Sequence, residues 1–502
     1  MKRLGILFIL LAPVSVFALT LSHSDYDFSV IDHLLHAQTK TGWVSASSVL
    51  SRNYYSTLLT GFELTDDSEK ESQVLEVKRL RRESIEAGPL HLRMETQIGT
   101  SYVKSYPIQL IGIAATSNPS LAQNGGMFNG GGFMQSIGAR IEGTLTPYFG
   151  FSARPNFLYS SRDEFGGDAS EFFLGEGFGS IRIRDLAVEG GLGNIEWGNG
   201  RATHLLFSGD TRPLWMGRIR SDQPVVPPGF LKFLGPTQFE GFLAFLGDHY
   251  NFPNARLFGF FFDSSPTPNL EFGIGGTVVF GGTGASTNNP AVIITDYFGK
   301  GGNSSANRNF LLTGRYRIPN LGIEPYFEAM MEDCCSKALV NPRDFATLAG
   351  LLIPRVDPAG KLDLAFEWVR TSQVAYSHSS FSDGLTFKGR SLGTPLGPGA
   401  LGFYFIGRYF RSPRFIFKTS LGYEIRERLS KAPDRSPIQT IYPAYQVPDQ
   451  RVRLEIQPDW LLADGRLVVS PTAALERATG KGYVQNQEGY NIFLGMDLRY
   501  LF

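Results

Sequence analysis

Three stretches concentrate the side chains that could do chemistry. "NIEWGNGRATHLLFSGDTRPLW", residues 194 to 215, sets Glu196, Trp197, Arg201, Asp210 and Arg212 among glycines. "EPYFEAMMEDCC" ends a strand with Glu328, Glu332 and Asp333 at the outer rim, and "AYSHSSFSDGLTFKGRSLGTPLGPG", residues 375 to 399, gathers Tyr376, His378, Phe387, Lys388 and Arg390. Aromatic faces can stack on sugar rings, while carboxylates and guanidinium groups hydrogen-bond hydroxyls or uronic acids. That chemistry suits a carbohydrate surface. A structural account competes with it. Inward charges in a large β-barrel pair across the lumen and hold loops, and rim Trp and Tyr form an interfacial girdle. Catalysis is not expected. A hydrolase needs a Ser with a His and a carboxylate in reach, and of the seven His only His204 and His378 fall near these loops. No metal spacing of His and carboxylates stands out, so neither a metal nor a cofactor is expected.

The elements that must position these stretches are strands. The chain closes on "NIFLGMDLRYLF", residues 491 to 502, where Ile492, Leu494, Met496, Leu498, Tyr500 and Phe502 fall on one face. Period two means a strand. In "SIGARIEGTLTPYFGFSAR", Ile137, Ala139, Ile141 and Leu145 alternate with Arg140, Glu142, Thr144 and Thr146. Runs of about ten to twelve residues match the length a tilted strand needs to cross hydrocarbon. Greasy alternate faces, with tight turns at regular intervals, point to a transmembrane β-barrel.

Counting refines the reading. Alternation alone gives seventeen strands, an odd number, and puts the long segments 281–307 and 372–399 on the side of the short turns; reading "PLWMGRIRS", residues 213 to 221, as a further strand repairs both faults and is consistent with an even-numbered barrel. The count is then about 18. The tight connections at Pro147, Arg184–Asp185, "SSPTPN", Pro319–Asn320, "DPAG", Ser412–Pro413 and "ADG" share the periplasmic side. One longer connection, residues 222 to 235, joins them there, and both termini lie on the same side.

Composition agrees. There are 57 Gly, 40 Phe and 20 Tyr, and charged residues are only 19%. Strands favour aromatics and turns favour Gly. Lys plus Arg equals Asp plus Glu at 47 each, so no net field draws the chain to nucleic acid. The only cysteines, Cys334 and Cys335, are adjacent; a strained neighbour disulfide and two plain thiols are both open. "MKRLGILFILLAPVSVFA" reads as a secretory signal peptide cleaved near Ala18, its apolar run too short to span a bilayer. Residues 24 to 85 read as short helices: "DFSVIDHLLHAQ" places Phe28, Ile31, Leu34 and Leu35 on one stripe. The expected organisation is a leader over 1–18, a periplasmic helical segment over 19–88, and a barrel with long external loops over 89–502.

At these stretches the chain resembles the Wzi-type capsule-assembly family of Gram-negative outer membranes. The markers are "YDFSVIDHLL", "EWGNGR" followed by "LLFSGDTRPL", "LEFGIGGTVVFGGTG", "NSSANRNFLLTGRYRIP" leading into "IEPYFEAMMED", and "GLTFKGRSLGTPLGPG". Two positions depart from the family's pattern: Asn199 where it usually has Pro, and Thr394 where it has His. The resemblance implies an all-β transmembrane barrel of about 18 antiparallel strands in the outer membrane. It has a short N-terminal periplasmic α-helical segment and loops folded over the mouth. It implies a non-enzymatic, lectin-like role: binding capsular or related surface polysaccharide and holding it at the cell. Trp197, Arg201, Asp210, Arg212, Tyr376, His378 and Arg390 are then candidates for polysaccharide contact, or for ordering the loops that make it. The alternative is a porin or specific diffusion channel, since barrels of 16 to 18 strands can leave an aqueous lumen. Expected partners are surface polysaccharide and outer-membrane lipid, not nucleic acid; oligomeric state is left open.

Overall fold

A strand that alternates apolar and polar residues can meet lipid with one face only if every backbone N–H and C=O finds a partner, which demands closure. The computed structural model has that closure. It describes residues 91–502 except 105–107, 111–112, 116–130, 147, 162–168, 286–305, 333–344, 373, 379, 389, 413 and 427–446. Before residue 91 it describes only 20–21, 29, 32–33 and 50–51.

Eighteen antiparallel strands form one closed barrel. They are β1 (His91–Lys104), β2 (Gly132–Thr146), β3 (Phe149–Ser160), β4 (Ala169–Ile183), β5 (Leu186–Gly193) and β6 (Leu214–Ser221). Then come β7 (Thr237–Phe245), β8 (Arg256–Thr267), β9 (Leu270–Phe280), β10 (Asn307–Tyr316), β11 (Glu324–Glu332) and β12 (Phe345–Ile353). The last six are β13 (Leu362–Arg370), β14 (Ala400–Ser412), β15 (Phe415–Arg426), β16 (Asp449–Leu462), β17 (Leu467–Thr479) and β18 (Glu488–Leu501). Each pairs with its neighbour in the chain, and β18 closes on β1 with Ile492 opposite Lys104 and Leu501 opposite Glu95. The strand required at 213–221 is β6. The described short connections, such as Arg184–Asp185 and Pro268–Asn269, lie at one end, and the long loops at the other.

The two faces divide as alternation demands. Ile137, Phe172, Ile219, Leu243, Phe262, Phe366, Phe403, Leu454 and Leu494 point outward and are exposed. Inward positions carry charge in neutralising groups. Arg218 donates to Glu189 at 2.7 Å, Arg182 to Asp222 at 2.7 Å and Arg453 to Glu476 at 2.7 Å. A buried ion without a partner would cost several kcal/mol, roughly, so these charges occur opposite one another. The helical lead-in expected over 24–85 lies outside the described residues, apart from Ser29, Asp32 and His33, which are helical. Cys334 and Cys335 lie outside them too.

Candidate functional site

Two long loops turn inward and occupy the lumen. The first, residues 194–213, leaves β5 and returns to β6. Within it Glu196 and Trp197 pair with Ser208 and Phe207. The Trp197 ring is completely buried, edge-on to Phe207 at 4.9 Å between centroids and stacked on Phe261 at 5.3 Å. Its indole N–H donates to Glu240 Oε2 on β7 at 3.0 Å. An apolar body with a satisfied polar handle makes a strong buried anchor.

Two carboxylates on the far wall hold the tip of this strap. Glu328 of β11 accepts the backbone N–H groups of Gly200 and Leu205, both at 2.8 Å, and faces His204 Nδ1 at 3.3 Å. Glu367 of β13 accepts the Arg201 and Ala202 N–H groups and the Tyr326 hydroxyl, the last at 2.6 Å. Arg315 of β10 donates to the Asn199 side chain at 3.0 Å. The strap thus crosses from β5 and β6 to β13. Glu328 is not at the outer rim, where the reading of "EPYFEAMMEDCC" sets it; it lies mid-strand on the inward face shared with Glu324, Tyr326 and Met330.

The second loop, residues 371–399, locks onto the first. Thr386 and Phe387 pair with Ser391 and Arg390 in a small hairpin. Tyr376, buried and at φ +62°, donates its hydroxyl to the Leu205 carbonyl at 2.6 Å. Ser208 donates its N–H to Leu392 O at 2.9 Å and its hydroxyl to Gly393 O at 2.7 Å. Contact is so close at Gly393 that a Cβ there would lie 2.1 Å from Leu205 O. From the opposite end, Asp32 meets Arg201 at 3.0 Å and Arg408 at 2.8 Å, and His33 stacks on Phe410 while facing Asp363 at 3.0 Å.

The seven residues singled out in the sequence therefore have unequal settings. Trp197 and Tyr376 are buried inside the interlocked loops, and Arg201 joins strap to N-terminal segment. Arg390 is buried in the hairpin near Asp210. Arg212 lies 3.4 Å over the Phe173 ring and pairs with Glu171. His378 is half-buried, and its Nδ1 accepts the N–H groups of Ser380 and Phe381 at 3.1 Å each. Outside the original set, Glu328, Glu367, Glu240 and Asp32 do the holding. Period two places Glu328 and Glu367 inward; nothing in the sequence says that a loop comes to meet them. The expectation that the chain holds no Gly-x-Ser-x-Gly stretch needs a correction, since the run "GRSLG", residues 389 to 393, has that spacing. Ser391 lies in a hairpin and accepts the Gly393 N–H at 3.1 Å, not at the strand-to-helix turn a nucleophile elbow needs.

Protonation tunes the strap. Burial pushes the Asp210 carboxyl up from 3.8 to about 7, against the pull of the Ser208 hydrogen bond and Arg390. Burial works against charging His204, but Glu328, with Glu196 and Glu367 behind it, outweighs burial and raises its pKa. Asp210 binds its proton more tightly folded than unfolded, so its contribution is favourable at acid pH and lost as pH rises through about 4 to 7. The stabilisation from protonated His204 is present below its ordinary range and lost as pH rises through the raised value. Both signs agree. Between pH 5.5 and 8.5 the opening free energy of residues 194–213, read by hydrogen exchange corrected for intrinsic rates, should fall by about 1–3 kcal/mol. Asp210→Asn should remove much of that difference; an unchanged pH dependence would count against this assignment.

The family model described as capsule assembly protein Wzi matches residues 104–476. Among solved structures, the chain is similar to Wzi, an outer-membrane protein involved in group 1 capsule assembly in Escherichia coli and described as a carbohydrate-binding β-barrel. The TM-score is 0.70 at 14% identity, covering 96% of this chain and 99% of that one. At that identity the likeness is one of fold. OprD of Pseudomonas aeruginosa gives a TM-score of 0.48 at 12% identity, covering 82% of this chain and 95% of that one. No curated protein matches the chain.

Proposed function

The chain belongs to the capsule assembly protein Wzi family, and on that premise we propose that it binds capsular or related polysaccharide and holds it at the cell surface. The observation that carries this reading is the reach of the family match, which takes in both inward loops and the strands that clasp them. An outer-membrane barrel with its long loops at the external end presents those loops to whatever coats the cell.

In this reading the role is binding, not catalysis. Trp197, Tyr376 and Arg201 order the loops. Arg390 orders the hairpin, and Arg212 beside Phe173, together with Asp210 and His378, supplies contacts at the outer side. A guanidinium over an aromatic ring suits a sugar that carries carboxylates. Single contacts of this kind are weak, and a long polymer gains retention by engaging many copies at once. Residues 1–18 are a leader removed near Ala18, and 19–88 form a periplasmic segment that reaches the lumen through Asp32 and His33.

Deleting the gene should release polymer into the medium while its synthesis continues, leaving cells with less attached capsule. Unchanged cell-associated polymer would reject the proposal. The purified protein should also retain the polymer in pull-down while remaining silent in a planar bilayer. Steady conductance without retention would favour the diffusion-channel reading instead.

A further inference from the structure

The connection between β6 and β7 is unlike the other described connections at its end of the barrel. Its sequence "PVVPPGFLKFLGP", residues 224 to 236, holds six large apolar side chains beyond its prolines and one charge, Lys232. Residues Gly229–Leu234 form a 3₁₀ turn with no buried member. Phe230 is 84% exposed, Phe233 66% and Val226 52%; Val225 and Leu231 are exposed as well. Water-facing connections do not ordinarily display such a cluster, so its direction decides its meaning.

That direction is outward. On β7 and β8, Phe239 and Phe262 face each other across the strands, with ring centroids 4.8 Å apart, and Phe262 belongs to the exposed outer face. Two residues along, Thr237 and Ser264 are also paired, so they lie on that same outer face. Yet Ser264 is only 4% exposed. What covers it is the 3₁₀ turn: Ser264 donates its hydroxyl to Leu234 O at 2.5 Å, and Thr237 donates to Gly235 O at 3.2 Å. Further bonds make the fold-back rigid. Val225 and Thr237 exchange backbone hydrogen bonds at 2.9 and 3.0 Å, and Ser265 N–H donates to Pro236 O at 2.9 Å. Gly235, at φ +68°, allows the reversal; a Cβ there would fall 2.1 Å from Ser265 O.

We propose that residues 225–234 are a membrane foot. It inserts Phe230, Leu231 and Phe233 into the phospholipid leaflet at the short-turn end and sets Lys232 among the phosphate headgroups. The cluster is continuous with the lipid-facing band through Phe239 and Phe262. Its single charge is a long-stemmed cation that can reach up to anionic headgroups while its methylenes stay in the acyl boundary. Five exposed apolar side chains around one basic residue, with no acidic one, match an interfacial segment in which aromatic rings sit at headgroup level. The foot thereby sets the depth of the barrel at β6–β8, the strands that carry Glu240 and Phe261 beneath Trp197.

The proposal rests on the outer-membrane reading, and one experiment separates the two. Photoreactive benzoylphenylalanine replaces Phe230, Phe233 or, as a control on the barrel wall, Phe262, in the full-length protein in cells. Irradiation should give phospholipid adducts, read by mass spectrometry, at all three positions. Adding Leu231→Asp with Phe233→Asp should abolish the adduct at position 230 and leave the one at 262 unchanged. An adduct to another protein or to a second copy at 230 and 233, or no adduct there while 262 reacts, overturns the foot alone. Failure at 262 overturns the membrane-facing assignment as well.

Discussion

Replacing Glu328 and Glu367 together by alanine should free the 194–213 strap and make the barrel more conducting. These carboxylates accept four backbone N–H groups of the strap, those of Gly200, Arg201, Ala202 and Leu205. Glu328 also faces His204, and Glu367 accepts the Tyr326 hydroxyl. Each buried donor left without a partner costs about 1–3 kcal/mol, and water entering the lumen is the cheapest way to satisfy them all. The penalties are not additive, because one movement of the strap relieves several. The barrel itself should persist. The ladders of β11 and β13 are backbone hydrogen bonds, which neither substitution touches. In planar bilayers the double variant should show steady conductance well above that of the parent protein. Glu328→Gln, which keeps an acceptor oxygen in place, should show less. Silence of the double variant, with unchanged exchange protection over residues 194–213, would sink the clasp.

Trp197→Ala carries the second large effect, and it acts on stability. The side chain is wholly enclosed by Phe207, Phe242 and Phe261. Removing it leaves an apolar cavity, for which buried Trp→Ala changes cost about 3–5 kcal/mol. Glu240 also loses its indole donor, although Arg218 still reaches it at 3.4 Å. Unfolding in detergent, followed by the loss of heat-modifiable migration, should begin at a clearly lower temperature than for the parent. Protease should cut the strap before the barrel opens. Trp197→Phe retains most of the packing and loses only the donor, so its cost should be nearer 1 kcal/mol. Equal losses in the two variants would mean that the hydrogen bond, not the packing, is what matters here. The contrast also bears on binding. If polymer retention falls with Trp197→Ala in proportion to strap opening, Trp197 orders the loops; if it falls with the strap still closed, the residue contacts sugar.

What was legible without coordinates was what period two and chain economy can carry. Alternation in "SIGARIEGTLTPYFGFSAR" and in the closing "NIFLGMDLRYLF" assigned strands and faces. The demand for an even number and for sided turns then singled out the segment that is β6. The outward Leu494 and Phe262 and the inward Glu328 and Glu367 follow from the same rule, since successive strand side chains point to opposite faces. Residue type alone also marked Trp197, Arg201, Tyr376 and Arg390 as out of the ordinary for loops.

The tertiary structure decided which atoms those residues meet. Glu328 and Leu205 are separated by 123 positions, and Tyr376 and Leu205 by 171. No periodicity reaches across such distances. A loop's backbone N–H groups look alike in sequence, so nothing there distinguishes Gly200 and Leu205 as the ones a buried carboxylate will accept. Closure supplies the missing information: curling eighteen strands into a ring brings walls from distant parts of the chain around one lumen, and a buried charge must then be answered by whatever the loops offer. Local alternation thus determined the wall and its two faces. Only the closed ring decided that Trp197 and Tyr376 are locks inside it, and that the exposed phenylalanines of 230 and 233 lie on its outer side.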